Sequence, residues 1–138
     1  MSHRLQLDDW VTFAGRIDGS KDSRLAAYLS TADIGLCPDP KNPLNDISTM
    51  NKTLEYMAFG LPVLAFDLKE TRTSAGGAAH YVRDNDVEAF AEALATLLDA
   101  PERRAEMGRL GRERVENALA WDHQTSQYVS VYERLVGR

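Results

Sequence analysis

The chain has 138 residues, 43% of them hydrophobic and 27% charged, which is enough apolar material for one globular domain with its own core and too little for two. Its net charge of −5 argues against a broad nucleic-acid or anionic-membrane surface, although a helix N-terminus can still hold an anion through backbone N–H groups. No apolar stretch approaches the roughly 20 residues that cross a bilayer, the first residues lack the apolar middle of a signal peptide, and the single Cys37 has no partner for an intrachain disulfide, so a cytoplasmic protein with a packed thiol is expected.

Along the chain, short apolar runs alternate with helical periodicities, the pattern of a parallel sheet with crossover helices. "VTFAG" (11–15) reads as a strand stopped by Gly15, and "DSRLAAYLSTA" places Leu25, Tyr28, Leu29 and Ala32 at helical spacing with Asp22 or Ser23 as cap. "DIGLCP" (33–38) is a second strand ended by Pro38, and the Pro, Asn and Asp of "DPKNPLNDIST" (39–49) make a loop. A short helix follows from about Met50 to Phe59. Gly60 supplies the left-handed position after it, and Pro62 opens the buried strand "PVLAF". "AHYV" (79–82) reads as one more strand. The tail is helical: "DVEAFAEALATLLDA" carries Val87, Phe90, Ala91, Leu94, Leu97 and Leu98 on one face, Pro101 opens the next helix, and "WDHQTSQYVSVYERLV" carries Tyr128, Val131, Tyr132 and Leu135 along a stripe. The fold class expected is therefore α/β, a Rossmann-like parallel sheet of three or four strands with crossover helices and a helical C-terminal tail. A sheet that small, behind a polar start, reads as a single domain over 1–138 that is a piece of a larger α/β protein.

In open parallel sheets, ligands sit outside the carboxyl ends of the strands. Three segments fall there: Gly15, Arg16 and Ile17 after the first strand, the loop 39–49 after the second, and Asp67 to Thr71 after the third. The loop before the short helix is the informative one. Ser48 or Thr49 reads as its N-cap, and the free backbone N–H groups near Met50 and Asn51 form an anion site at the sheet edge. Lys52 is unfavourable to the helix dipole, so it reads as added charge for a phosphate, and Glu55 follows at i+3. The two are equally readable as a surface helix pair. A carboxylate beside a phosphate site makes chemical sense where it accepts hydrogen bonds from a sugar diol such as ribose. His3, His80 and His123 are far apart without paired carboxylates, so neither a metal site nor a catalytic histidine is expected. Gly76-Gly77 reads as a plain turn, and Trp121 as a packing anchor for the last helix.

"NKTLEYMAFGLPVLAFD" (51–67) resembles the signature segment of retaining glycosyltransferases of the GT-B fold, the large family 4 group, whose pattern is a glutamate, seven residues, a second glutamate, then Ala-x-Gly-x-Pro-Val. "DDWVTFAGRI", "AAYLSTADIGLCP", the stretch from "FDLKETRTSAGGAAHYV" onward and the closing "WDHQTSQYVSVYERL" match that family's donor domain in order. The resemblance implies that the chain is the later part of a C-terminal, donor-binding domain, with an N-terminal acceptor domain and a phosphate-neutralising basic pair outside it. Carried over, Glu55 matches the glutamate that binds ribose hydroxyls, Met50 and Asn51 match the amides that hold the diphosphate, and Gly15, Arg16 and Ile17 match the loop lining the base. Glu70, Thr71 and Arg72 stand where the family places loop residues near the sugar. The first glutamate of the pattern falls on Ile47, with Asp46 beside it.

The nucleotide-sugar-binding set expected is thus Gly15, Arg16, Ile17, Ser48, Thr49, Met50, Asn51, Lys52 and Glu55, with no catalytic residue assigned, no metal and no cofactor beyond the nucleotide diphosphate sugar itself. The implied function is hexosyl transfer to a glycan or lipid acceptor in polysaccharide or cell-envelope synthesis, the acceptor being bound through the N-terminal domain and the fragment being inactive alone. Any attachment to the inner face of a membrane would run through that domain too. A non-catalytic module of the same fold, or a sugar-nucleotide epimerase, is the alternative. The stripe of the last helix is expected to be exposed and to allow self-association.

Overall fold

Three short parallel strands lie side by side in the order of the chain: β1 (Gly35–Cys37), β2 (Val63–Phe66) and β3 (Ala79–Val82). The computed structural model describes residues 3–17 and 24–137. By their contacts the residues divide into two compact units, Met1–Thr31 and Ala32–Arg138, and each is taken by itself.

The second unit holds the sheet. Its central strand is covered on both faces, so its sequence is a continuous apolar run rather than an alternation. Val63 and Ala65 face a cluster with Cys37, Met57, Ala75 and Ala78, whereas Leu64 and Phe66 face Val82, Phe90, Leu97 and Met107. The helices α2 (Asn51–Ala58) and α3 (Lys69–Ala75) supply the first cluster. On the other side lies α4 (Val87–Leu98), capped by Asp86, whose Oδ1 accepts from the N–H of Ala89 at 3.0 Å. Helix α5 (Pro101–Arg114) starts with Pro101 at its first position, as its sequence predicts, and packs against both clusters through Met107 and Gly111. A π-turn over Val115–Leu119 leads to α6 (Trp121–Val136), which buries none of its residues. Its stripe is exposed, as expected, and Trp121 is not the buried anchor expected: it is 60% exposed, with its ring 5.3 Å from that of Tyr128 on the same helix.

Helix α2 is the short crossover between β1 and β2, and its end is fixed by three devices. Gly60 adopts φ +70°, which lets its N–H reach Met57 O (3.0 Å) and that of Leu61 reach Tyr56 O (2.9 Å), a Schellman turn. Arg112 of α5 donates to Ala58 O. Gly108 of α5 lies so close that a Cβ there would stand 2.0 Å from Gly60 O. On the strand side, a Cβ on Gly35 would stand 2.3 Å from the Tyr56 ring, so β1 and α2 touch through a missing side chain.

The first unit contains a 3-10 turn at His3–Leu5 and α1 (Arg24–Thr31). The expected strand 11–15 is not formed: residues 11–17 belong to no helix or strand, and Phe13 is 80% exposed. A β-rich run becomes a strand only beside a neighbour that takes its hydrogen bonds, and among the described residues none pairs with it. The expected caps Asp22 and Ser23 lie outside the described residues.

Candidate functional site

The loop 39–49 leaves the carboxyl end of β1 and returns as the first turn of α2. Its first half is ordered from within. Asn42 Oδ1 accepts from the N–H groups of Leu44 (3.0 Å) and Asn45 (2.9 Å), an Asx-type turn that leads into a 3-10 turn at Asn45–Ile47. The loop is then tied to three neighbouring elements. Asn85, at φ +63° in the turn between β3 and α4, accepts from the N–H of Lys41 at 2.9 Å. Lys52 Nζ lies 2.7 Å from Asp39 Oδ1. At the far end, Asp46 Oδ1 accepts from the N–H of Lys69 at 3.0 Å, and Thr49 Oγ1 donates to Glu70 Oε1 at 2.8 Å.

These contacts correct the expected capping. The N-cap of α2 is Met50, in extended geometry, and neither Ser48 nor Thr49 caps the helix. Ser48 Oγ donates to Leu44 O at 2.6 Å, and Thr49 is taken by Glu70. Both hydroxyls found better-placed acceptors, one in the turn behind them and one in a helix 21 residues away. The consequence is a helix start with no side-chain cap. Thr53 N–H reaches back to Met50 O (3.0 Å), but among the described residues nothing accepts from the N–H groups of Met50, Asn51 or Lys52. These are the unsatisfied donors and positive dipole end that an anion completes.

Lys52 and Glu55 do not form the surface pair that their spacing allows, because Lys52 turns to Asp39. Glu55 is exposed one turn into the helix; its backbone carbonyl accepts from Phe59 N–H at 3.1 Å, but its carboxylate takes part in no hydrogen bond or ion pair among the described residues. Asp46, the carboxylate beside the position expected to carry a glutamate, is spoken for by the α3 start and is only 15% exposed at its side chain. Ile47 itself is 71% exposed.

After β2, Arg72 is held by the Asp67 carboxylate, with Nη2 2.7 Å from Oδ2, and lies 4.4 Å over the Tyr81 ring. The hydrogen bond from Arg72 holds the Asp67 carboxyl below the usual carboxylate range. Glu70, Thr71 and Arg72, expected in a loop, lie instead in the first turns of α3; Thr71 is buried and Glu70 is committed to Thr49, so Arg72 is the one of the three that presents charge to solvent. Gly15, Arg16 and Ile17 lie in the first unit, Gly15 with φ +72°. Gly76-Gly77 is the turn expected, Gly76 ending α3 at φ +54°. His80 Nδ1 faces Arg103 Nη2 at 2.8 Å, and His123 Nε2 faces Glu116 O at 2.7 Å. Among the described residues no group of His, Cys, Asp and Glu could hold a metal ion, and no helix is long and apolar enough to cross a membrane.

The sequence pattern described as "Glycosyl transferases group 1" matches residues 1–100. The chain belongs to this family. Among curated group 1 relatives, it is 30% identical over 123 residues to the MMP alpha-(1->4)-mannosyltransferase of Mycolicibacterium hassiacum, a match covering 87% of this chain and 29% of that one. It is 32% identical over 123 residues to the alpha-maltose-1-phosphate synthase of Mycolicibacterium smegmatis, covering 81% of this chain and 30% of the relative. The chain thus spans under a third of the length of these relatives. Among solved structures, the sucrose-phosphate synthase of Thermosynechococcus elongatus superimposes with a TM-score of 0.84 at 28% identity, over 99% of this chain and 33% of that one. The expected α/β fold of the GT-B kind, with its parallel sheet and helices, is what this chain shares with that enzyme.

Sequence reasoning missed Asp39, the Asp46 and Glu70 ties, and the Asp67–Arg72–Tyr81 group. One signal was present: α3 begins after Leu68, which has no oxygen to cap it, so its cap had to come from elsewhere in the chain.

Proposed function

We propose that this chain is the donor-binding part of a retaining, nucleotide-sugar-dependent glycosyltransferase that moves a hexosyl group from a nucleotide diphosphate sugar to a glycan or lipid acceptor. The observation that carries the reading is the start of α2. N–H groups at residues 50–52 and a Glu55 carboxylate that have no partner among the described residues stand one helical turn apart at the carboxyl edge of a parallel sheet. Amides suit a diphosphate, and an exposed carboxylate suits the hydroxyls of a ribose. Ser48, Thr49 and Lys52 are proposed to shape the phosphate end.

Transfer breaks the bond between the anomeric carbon and the phosphate oxygen, while the acceptor hydroxyl oxygen bonds to the same face of the sugar and its proton leaves with the diphosphate. Charge develops on the departing diphosphate, and fixed N–H donors stabilise it without reorganising. Lys52 contributes less than a free cation would, since Asp39 already neutralises it. The remaining charge balance and the acceptor groups belong to parts of the protein beyond this chain, which is therefore not expected to catalyse alone. No metal or other cofactor enters the proposal.

A specific observation favours a second reading, a nucleotide-binding module without transfer activity. Ile47 has no polar atom for a sugar hydroxyl, and Asp46 is engaged elsewhere.

The test is an amide-shift titration of the chain with UDP, GDP and ADP, repeated on Glu55→Ala. Saturable shifts at 15–17 and 48–55 with one nucleotide, weakened in the variant, support the donor site and name its base. Silence with all three, here and in any longer protein containing the chain, would end the reading. Binding by such a protein without sugar transfer would favour the module.

A further inference from the structure

Two ties join the loop 39–49 to one place, the first turn of α3. Asp46 Oδ1 accepts from the Lys69 N–H at 3.0 Å, and Thr49 Oγ1 donates to Glu70 Oε1 at 2.8 Å. Neither is a chance surface pairing. Leu68 offers α3 no side-chain cap, so Asp46 supplies the missing acceptor from 23 residues earlier in the chain. Its side chain is 15% exposed, whereas the Lys69 ammonium, 3.9 Å from Asp46 Oδ2, is 82% exposed, so the backbone hydrogen bond and not the ion pair is the strong element. Glu70 also receives Ser74 Oγ at 3.4 Å, which holds its carboxylate from below.

The two halves of the loop are ordered differently. Residues 39–48 carry their own turn bonds, through Asn42, Asn45 and Ser48. Thr49 and Met50 have none of these, and Thr49 is held by Glu70. The tie at Thr49 therefore falls immediately before the uncapped amides of 50–52.

We propose that Asp46 and Glu70 are positioning residues: through the N-terminal turn of α3 they hold the end of the loop so that the amides at 50–52 point in a fixed direction before any ligand arrives. The proposal rests on the donor-site reading above. Without the ties, residues 48–50 must be ordered at the moment of binding, and the bound anion carries that entropy cost.

The experiment compares Asp46→Ala, Glu70→Ala and Thr49→Val with Asp46→Asn and Glu70→Gln, which keep a carbonyl oxygen at the accepting position. Two quantities are read on each: hydrogen exchange at the amides of 48–52 without ligand, with the β2 amides as a reference for global stability, and affinity for whichever nucleotide binds the unaltered chain. The expected result is faster exchange at 48–52 with β2 unchanged in the three deleting variants, an affinity loss of about tenfold, and recovery of both in Asp46→Asn and Glu70→Gln. Thr49→Val removes one hydroxyl and preserves the fold should the other deletions unfold the chain. Unchanged exchange at 48–52 overturns the clamp. Faster exchange with unchanged affinity overturns its positioning role. If the unaltered chain and any longer protein containing it bind no nucleotide, the donor reading fails and takes the positioning role with it, an outcome separate from failure of the clamp.

Discussion

At the scale of single residues, the tightest constraint is a hydrogen atom where most residues have a carbon. Gly108→Ala would drive a Cβ to 2.0 Å from Gly60 O, a backbone atom that cannot move without undoing the Schellman turn. A loss of about 2 kcal/mol or more is expected, read as a lower urea midpoint with an unchanged slope. Gly35→Ala meets the inner part of the Tyr56 ring and should tilt α2 as well as destabilise, so its amide shifts should change at 51–58. Cys37 makes a different kind of point. Its thiol is buried against Thr53 Oγ1 at 3.3 Å, and burial pushes its pKa up. Native chain should therefore resist alkylation, with the thiol reacting at the rate at which β1 and α2 separate; rapid native labelling at neutral pH would contradict the packing described. Thr53→Val, which leaves the thiol without its partner, should cost about 1 kcal/mol.

At the scale of elements, β3 and α5 meet through a titratable contact. His80 is held below the ordinary imidazole value, first by burial and then by the Arg103 guanidinium. The folded chain then binds fewer protons here than the unfolded one, so the stabilising contribution is present above about pH 6.5 and is lost as pH falls through the lower native value. The urea midpoint should drop as pH falls below about 6.5, and less so in His80→Gln. What the sequence made legible at this scale was whatever is decided locally. Gly60-Leu61-Pro62 ends α2, Pro101 starts α5 and the apolar run 63–66 is the covered central strand, because each depends on neighbours within a few residues. Illegible were the features decided at long range. Thr49 read as a cap until Glu70, 21 residues on, competes for it, and "VTFAG" read as a strand although a strand is a property of two segments; Ser48 was missed for a local reason, since Leu44 O four residues back takes its hydroxyl. Glu55 was legible as a candidate because a carboxylate beside free helix amides suits a sugar diol and because the segment around it resembles the family's signature; Asp46 was not assignable, because its partner lies 23 residues downstream.

At the scale of the whole molecule, α6 stands apart. It contributes no buried residue, while Trp121, Tyr128, Tyr132 and Leu135 are more than half exposed. Removing 121–138 should leave the unfolding free energy within about 0.5 kcal/mol of that of the whole chain, since surface elements add little to the core. The same exposed stripe is where the self-association expected from the sequence would form: a sedimentation coefficient that rises with concentration, and ceases to rise in Tyr132→Glu with Leu135→Glu, is the outcome that expectation predicts. A single concentration-independent species would remove it.

The order of the strands has a consequence for how the chain is made. Because β1, β2 and β3 are neighbours in the sequence in which they are synthesised, each can join the edge of the one before it as it leaves the ribosome. The two faces of β2 are not completed together. Met57 already precedes Val63 and Ala65 on one side, but Leu64 and Phe66 wait for Phe90, Leu97 and finally Met107 on the other. Forty-one residues separate Phe66 from Met107, so at ordinary translation speeds of about 5–20 residues per second that face stays uncovered for about two to eight seconds. It is the interval in which a nascent chain of this design is most exposed to aggregation, and in which a chaperone would find its binding surface.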